Sequence, residues 1–291
     1  MNFGRNLAFW TNEKCIFGRH ISSVPIYRSI IQGSGIGPSL YIIYADDLRA
    51  LSPRNVILKY ADDTYILVPQ DSSVSLESEL MHVQHWSVNN KLMLNTAKTK
   101  EIVFRRPRAR SSESPSLLPN IERVDHINIL GVTVTNHFSV AAYVNNLIAV
   151  CNQRLFLISK LKSQGLAPAL AEQVFQALVM SKISYALPAV AGLFTSSDKS
   201  RLDVFFRKAV RRKISSQEIS IDNIISRADY ILFTQIKYDH HCLHHLLPPI
   251  RQAVTHHPGR ARSRGHNYCL PFVSYDAFRN SFIIRMLYGQ M

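Results

Sequence analysis

Acidic residues, paired cysteines and unbroken apolar runs are what this sequence has little of. Of its 291 residues, 20 are Asp or Glu against 34 Lys or Arg, a formal net charge of +14. That imbalance argues against a basic ligand and favours a polyanion, with nucleic acid the first candidate. Four cysteines (Cys15, Cys151, Cys242, Cys269) are widely scattered and none forms a C-x-x-C pair. Such usage excludes a disulfide scaffold and fits a reducing, intracellular compartment. No secretory signal is expected, because the first residues lack an apolar core and carry Arg5, Glu13 and Lys14. The longest apolar stretch, residues 174–194, is interrupted by Gln176, Lys182 and Pro188. It reads as buried helix rather than as a membrane span, which needs about 20 mostly apolar residues. With 46% hydrophobic residues, a packed core is expected and global disorder is not.

The chain is organised around Val56-Ile57-Leu58-Lys59-Tyr60-Ala61-Asp62-Asp63-Thr64-Tyr65-Ile66-Leu67-Val68. Two β-prone runs flank Ala-Asp-Asp, a linker so short that it permits only a tight reversal. The pattern predicts a β-hairpin with Asp62 and Asp63 at its tip. Paired carboxylates on a rigid turn are hard oxygen ligands suited to Mg²⁺, and two such ions can clamp the oxygens of a phosphoryl transfer. Asp-Asp is also ordinary turn chemistry. Here, however, apolar runs press in from both sides, and carboxylates beside a core call for a reason.

The surroundings supply one. Gln32-Gly33-Ser34-Gly35-Ile36-Gly37-Pro38 comes before the hairpin. Trp86, then Lys91-Leu92-Met93-Leu94-Asn95-Thr96-Ala97-Lys98-Thr99, then Ile129-Leu130-Gly131-Val132 come after it. In that order the motifs resemble the reverse transcriptase domain of non-LTR (LINE-type) retrotransposons. That family reads Q-G-S-x-x-G-P, Y/F-A-D-D-T, W-x(n)-L-N-x-x-K-T and L-G-V. This chain departs from the pattern at Ile31, where proline usually stands.

The resemblance implies an RNA-directed DNA polymerase with an α+β fold. A partial palm, a small antiparallel sheet with flanking helices, would occupy residues 1–135. An all-α thumb-like region would follow over 136–235, and a His- and Arg-rich tail over 236–291. Asp62 and Asp63 would bind Mg²⁺ (or Mn²⁺). Gln32, Gly33, Ser34, Tyr60 and Lys98 would lie at the nucleotide and template, and Leu130 and Gly131 would support the primer end. Implied partners are an RNA template, a DNA primer and deoxynucleotides, with no membrane. The family mechanism uses three carboxylates, the first in a strand well ahead of Gln-Gly-Ser. Residues 1–31 hold a single acid, Glu13, so the chain is expected to begin inside the palm and not to polymerise alone. A non-catalytic basic nucleic-acid-binding remnant is the alternative.

Several features read from the residues directly. Gly33, Gly35 and Gly37 give a permissive backbone ahead of Pro38, and residues 38–51 carry a helical spacing. Tyr44-Ala45-Asp46-Asp47 repeats the letters of the hairpin inside that helical pattern, so Asp46 and Asp47 belong at a helix end and on the surface. A second stripe runs through Leu76, Leu80, Val83 and Trp86. Short strands are expected at residues 92–94, 101–104 and 127–134, with a charged Ser/Pro loop at 105–119 between the last two. A long 3–4 stripe then runs from Val140 to Leu161, with Gly165 stopping it and Pro168 starting the next helix. Helical units at 181–192 and 200–213 follow. The last carries Arg207, Lys208, Arg211 and Arg212, a face that either meets a nucleic-acid backbone or is simply solvated. The His/Cys-rich tail matches no zinc-ligand spacing. Its Pro- and Arg-rich parts look loosely structured, with a short helix at 278–287.

Overall fold

The computed structural model describes residues 3–4, 11–17, 20–26, 35–105, 115–251, 266–273 and 275–289. The chain forms two compact units. The first is Met1–Val103 with Arg110–Asp125, and the second is Phe104–Ala109 with His126–Met291. The class is α+β, with strands concentrated in the first unit and helices in the second.

In the first unit β1 (Phe3–Gly4), β2 (Thr11–Phe17) and β3 (His20–Ile26) precede α1 (Gly37–Tyr44). The strands β4 (Val56–Tyr60) and β5 (Asp63–Leu67), α2 (Leu76–Asn89), and β6 (Met93–Leu94), β7 (Lys100–Glu101) and β8 (Glu122–Arg123) follow. In place of one small antiparallel sheet, the described strands stay in separate pairs. β1 lies beside β6, β2 beside β3 and β4 beside β5, all antiparallel, whereas β7 and β8 are parallel. Two-residue strands such as β6–β8 offer few ladder hydrogen bonds and cannot extend a sheet. The parallel pair is instead fastened by side chains: Arg123 grips the buried Glu101 through two hydrogen bonds of 2.8 and 2.9 Å.

The spacing over 38–51 predicts a helix that the structure ends at Tyr44. The carbonyls of Ala45 and Leu48, which a longer helix would have used internally, are taken by Lys59 Nζ from β4. Ala45 and Leu48 thereby turn inward and join Val83, Trp86 and Leu92 in the unit's core, with Tyr41, Tyr44, Ile57, Ile66 and Leu94 packed around them. Helix α2 begins where Ser75 caps the amide of Ser78 at 3.2 Å and carries Glu77 and Glu79 in its first turn, as N-terminal caps and dipoles favour.

The second unit opens with β9 (His126–Ile129) and β10 (Val132–Thr135), an antiparallel pair joined through Leu130 and Gly131. Helices α3 (Ala141–Ser163) and α4 (Pro168–Phe175) follow. The helical run continues past α4 through a π-helical stretch, Gln176–Met180, into α5 (Ser181–Ser184). Widening the helix there alters the backbone hydrogen bonding, and the carbonyl of Leu178 is met by Arg154 from α3. After a break at Tyr185 and Ala186 come α6 (Leu187–Val190), a short 3₁₀ turn, α7 (Ser196–Arg211) and α8 (Ile221–Ile236). The capping box of Thr195 and Asp198 starts α7. The run Pro168–Leu193 is long and apolar enough to cross a membrane. Its stripe of Ala171, Phe175, Val179, Ile183, Leu187 and Val190 is nonetheless buried in this unit's core against Leu147, Leu155, Leu202 and Phe206, in keeping with the reading as buried helix.

The tail is better packed than its composition predicts. Residues 266–273 and helices α9 (Asp276–Arg279) and α10 (Phe282–Gly289) pack on α8, with Leu287 buried against Phe233 and Ile236. Arg285 holds Asp229 at 2.7 and 2.8 Å and also donates to the carbonyls of Pro188 and Asn280. A Cβ at Gly192 would come within 1.9 Å of the Asn280 carbonyl oxygen, so only glycine allows this approach. The Pro/Arg stretch at 258–265 lies outside the described residues.

Candidate functional site

The hairpin forms in the register its sequence suggests, with Val56 opposite Leu67 and Tyr60 opposite Asp63. Its loop is the two residues Ala61 and Asp62. Ala61 sits in the left-handed region at φ 48°, where a side chain costs roughly 1–2 kcal/mol. The period of two then sorts the strands by face. Ile57, Lys59, Thr64 and Ile66 turn inward, while Val56, Leu58 and Tyr60 are exposed.

Asp62 and Asp63 are both half-buried, and among the described residues neither has an ion-pair partner. Asp62 lies close enough to Tyr41 on α1 to act on it. Burial first, then the Asp62 charge, then Tyr44, push the Tyr41 hydroxyl up to about 12. The hairpin tip is therefore beside the helix that begins at Gly37. A Cβ at Gly35 would meet open space, so no described atom crowds the turn ahead of α1.

Three residues that the motifs do not single out hold this arrangement. Lys59, one position before Tyr60, fastens β4 to the end of α1; burial lowers its ammonium pKa, with Arg49 adding repulsion and Asp46 and Asp47 opposing the shift. Tyr41 packs on the same core that Ile57 and Ile66 enter. Glu79 on α2 is fully buried, and its Oε1 accepts from the amides of Leu51 (2.9 Å) and Ser52 (3.3 Å) and from Asn55 Nδ2 (2.8 Å). It thus sets the segment that feeds β4. A carboxylate three residues past a Leu on an apolar helix face was the only signal for it, and its partners are distant in sequence.

The other expected positions distribute as follows. Asp46 and Asp47 are exposed in the turn after α1, where Asp47 accepts the indole N–H of Trp86 at 2.9 Å. Trp86 is core, as expected. Lys98 is exposed in a turn built by Asn95, whose side chain accepts the Lys98 amide at 3.1 Å. Tyr60 is exposed beside Asp63. Leu130 and Gly131 belong to the helical unit, with β9 and β10. Arg207 and Arg211 are exposed on α7, whereas Lys208 donates to Asn152 at 2.9 Å and Arg212 to Ser159 at 3.2 Å, both on α3. Gln32, Gly33 and Ser34 lie outside the described residues, as do His256 and His257. Of the tail histidines, His244 bonds the carbonyl of Ile236 at 3.0 Å and His266 that of Leu287 at 2.7 Å. Among the described residues, no three His, Cys, Asp or Glu side chains gather as a metal-binding group.

Comparison with known proteins bears on the same segment. The family described as "Reverse transcriptase (RNA-dependent DNA polymerase)" matches residues 5–134. That match takes in a little under half of the chain. The matched segment spans the Asp62–Asp63 hairpin and reaches through the Leu130-Gly131 turn into β10; the helices from α3 onward lie outside it. A relative is the RNA-directed DNA polymerase from mobile element jockey of Drosophila melanogaster, 23% identical over 211 residues. The match covers 67% of this chain and 23% of the relative, so the chain spans about a quarter of the relative's length. No solved structure matches the chain. The family generally uses divalent metal ions. Two half-buried carboxylates with no ion-pair partner among the described residues suit such an ion in donor type.

Proposed function

We propose that the chain is part of an RNA-directed DNA polymerase of a non-LTR element, with Asp62 and Asp63 as its Mg²⁺ or Mn²⁺ ligands. The observation that carries this reading is a pair of adjacent carboxylates presented by a two-residue reversal beside the helix that follows the Gly-rich turn. A bound ion would supply charge neutralisation at the phosphate being transferred. This chain's own residues do the positioning. Lys59 ties β4 to the turn after α1, Glu79 holds the segment that feeds β4, Tyr60 stands exposed next to Asp63 for a primer end or nucleotide, and Lys98 is free to reach phosphate. The first unit then acts as the palm-like part and the helices as the thumb-like part, with Arg207 and Arg211 offered to a nucleic-acid backbone. The template is RNA, the primer DNA and the substrates deoxynucleotides.

By itself this chain binds nucleic acid without extending it. What supports this half is that no third acidic side chain joins Asp62 and Asp63 among the described residues, while the net charge is +14. A primer-extension assay with Mg²⁺ and with Mn²⁺ is expected to show no product, and filter binding of an RNA–DNA primer–template to weaken steeply with salt. Extension that Asp62→Ala abolishes would overturn the claim of inactivity. Salt-independent or absent binding would overturn the nucleic-acid reading. Calorimetric titration with Mn²⁺ tests the ligands directly, since Asp62→Asn and Asp63→Asn should each weaken the ion's binding.

A further inference from the structure

We propose that Tyr185 is a positioning residue that fixes the Leu130-Gly131 turn against the end of a nucleic-acid primer strand. The inference rests on the reading above that this turn supports the primer.

The turn is a two-residue loop closed by the Ile129–Val132 pair, and both its residues lie in the left-handed region, Leu130 at φ 48° and Gly131 at φ 85°. A hairpin of this kind favours Asn-Gly or Gly-Gly. Leucine at the first position is unfavourable by itself, so something outside the loop must hold it. One support is local: Asn128 Oδ1 accepts the Gly131 amide at 2.8 Å. The other comes from far along the chain, where the Tyr185 hydroxyl donates to the Leu130 carbonyl at 2.7 Å.

Tyr185 is itself held from several sides. It sits where the helical run ends, its own carbonyl accepts the Tyr143 hydroxyl at 3.5 Å, and Ala186 after it is left-handed at φ 54°. Lys182 Nζ stands 5.6 Å from the centre of its ring. A Cβ at Gly131 would touch the ring edge at 3.8 Å, so ring and turn are in register. The turn is left exposed, with Leu130 at 37% and Tyr185 at 47% of their free surface. An exposed turn whose Leu130 carbonyl and Gly131 amide are already paired suits close contact with a strand end. Tyr185 lies beyond the segment matched by the reverse transcriptase family, so it couples the helices to a turn inside that segment.

The test uses the full chain with a photo-crosslinking amino acid in place of Leu130, an RNA–DNA primer–template labelled along the primer, and Tyr185→Phe. With Tyr185 intact, crosslinks should concentrate on the primer 3′-terminal nucleotide. In Tyr185→Phe they should spread over several nucleotides, while overall affinity changes less than about twofold and backbone amide exchange at residues 130–132 rises about tenfold. Crosslinks as concentrated in Tyr185→Phe as in the parent, or unchanged amide exchange, would overturn the positioning role and leave the primer-support reading standing. Crosslinks absent from the primer end in the parent chain, despite binding, would overturn that reading and the inference together. A parallel variant with Lys182→Met separates the ring's cation from its hydroxyl. Loss of focusing there with amide exchange unchanged would assign the effect to the lysine and overturn the role given to the hydroxyl.

Discussion

The two hairpins on which the functional reading turns are built alike and supported differently. Each has a two-residue loop with a non-glycine residue in the left-handed region, Ala61 in one and Leu130 in the other. The acidic hairpin is held along its strands. Lys59 reaches the carbonyls behind α1, and Ile57 and Ile66 enter a small core. The second hairpin also enters a core, through Val132 and Val134, and its tip is held as well, by Asn128 of its own strand and by the Tyr185 hydroxyl from the end of a helical run. The surrounding cores differ in the same sense. The helical unit buries continuous stripes of Phe, Leu and Ile, whereas the core of the first unit is a handful of residues around Leu48, Val83 and Trp86. Support along the strands alone leaves the Asp62 and Asp63 carboxylates uncommitted, whereas added support at the tip fixes the second loop itself.

Trp86 lies in the core of the first unit, so its fluorescence reports that unit, while far-UV circular dichroism is dominated by the helices. The comparison breaks most sharply with Phe206→Ala, which empties a fully buried site of the helical core. It should cost about 4 kcal/mol and shift the dichroism transition ahead of the fluorescence one. Glu79→Ala should do the reverse in the first unit. It removes a charged acceptor from three donors, a loss of about 3 kcal/mol seen in urea unfolding by fluorescence. Glu79→Gln, which keeps an acceptor oxygen, should lose less. Lys59→Met strands two carbonyls but relieves a desolvated charge, for a net loss of about 2 kcal/mol that should also weaken Mn²⁺ binding at the tip. Ala61→Gly should stabilise the acidic hairpin by about 1 kcal/mol, measured in the same unfolding curves, if Ala61 is strained as its φ implies.

Alkaline pH should separate the units most gently. Burial raises the Cys151 thiol in the helical unit from 9.0 to about 11, and burial with the Asp62 charge raises the Tyr41 hydroxyl from 10.0 to about 12. In both cases the folded state holds its proton more tightly. That stability is complete below the ordinary pKa and is lost as pH climbs to the raised one. Dichroism should weaken from pH 9 upward, and Cys151→Ala should reduce that loss, with the Tyr143 hydroxyl, which burial also raises, contributing the remainder. Fluorescence-detected unfolding should follow between pH 10 and about 12, and Tyr41→Phe should blunt it.

Much of this was legible in advance where the information is local. The Tyr60–Asp63 reversal, the exposed Asp46 and Asp47, the Trp86 core position and the helix starts at Leu76 and Pro168 all follow from spacing, turn chemistry and caps within a few residues. Helix α8 carried a readable stripe (Ile221, Ile225, Phe233, Ile236) that the motif-led reading passed over. The early end of α1 was not legible, because Lys59, which captures its last carbonyls, lies beyond it in the chain. The folded tail was not legible either. Its order comes from Arg285 meeting Asp229 and from the close approach at Gly192.

The amino-acid order alone carried the likeness to reverse transcriptases, the acidic hairpin and the basic balance of the chain, because motifs, turns, alternation and net charge are properties of neighbouring residues. Only the tertiary structure decided that the Leu130-Gly131 turn sides with the helices, that Glu79 and Lys59 brace the acidic hairpin and that Tyr185 holds the other one. These are hydrogen bonds between residues 11 to 55 positions apart. No local propensity encodes such a meeting; it exists once packing has brought the partners within reach and taken away the water that would otherwise satisfy them.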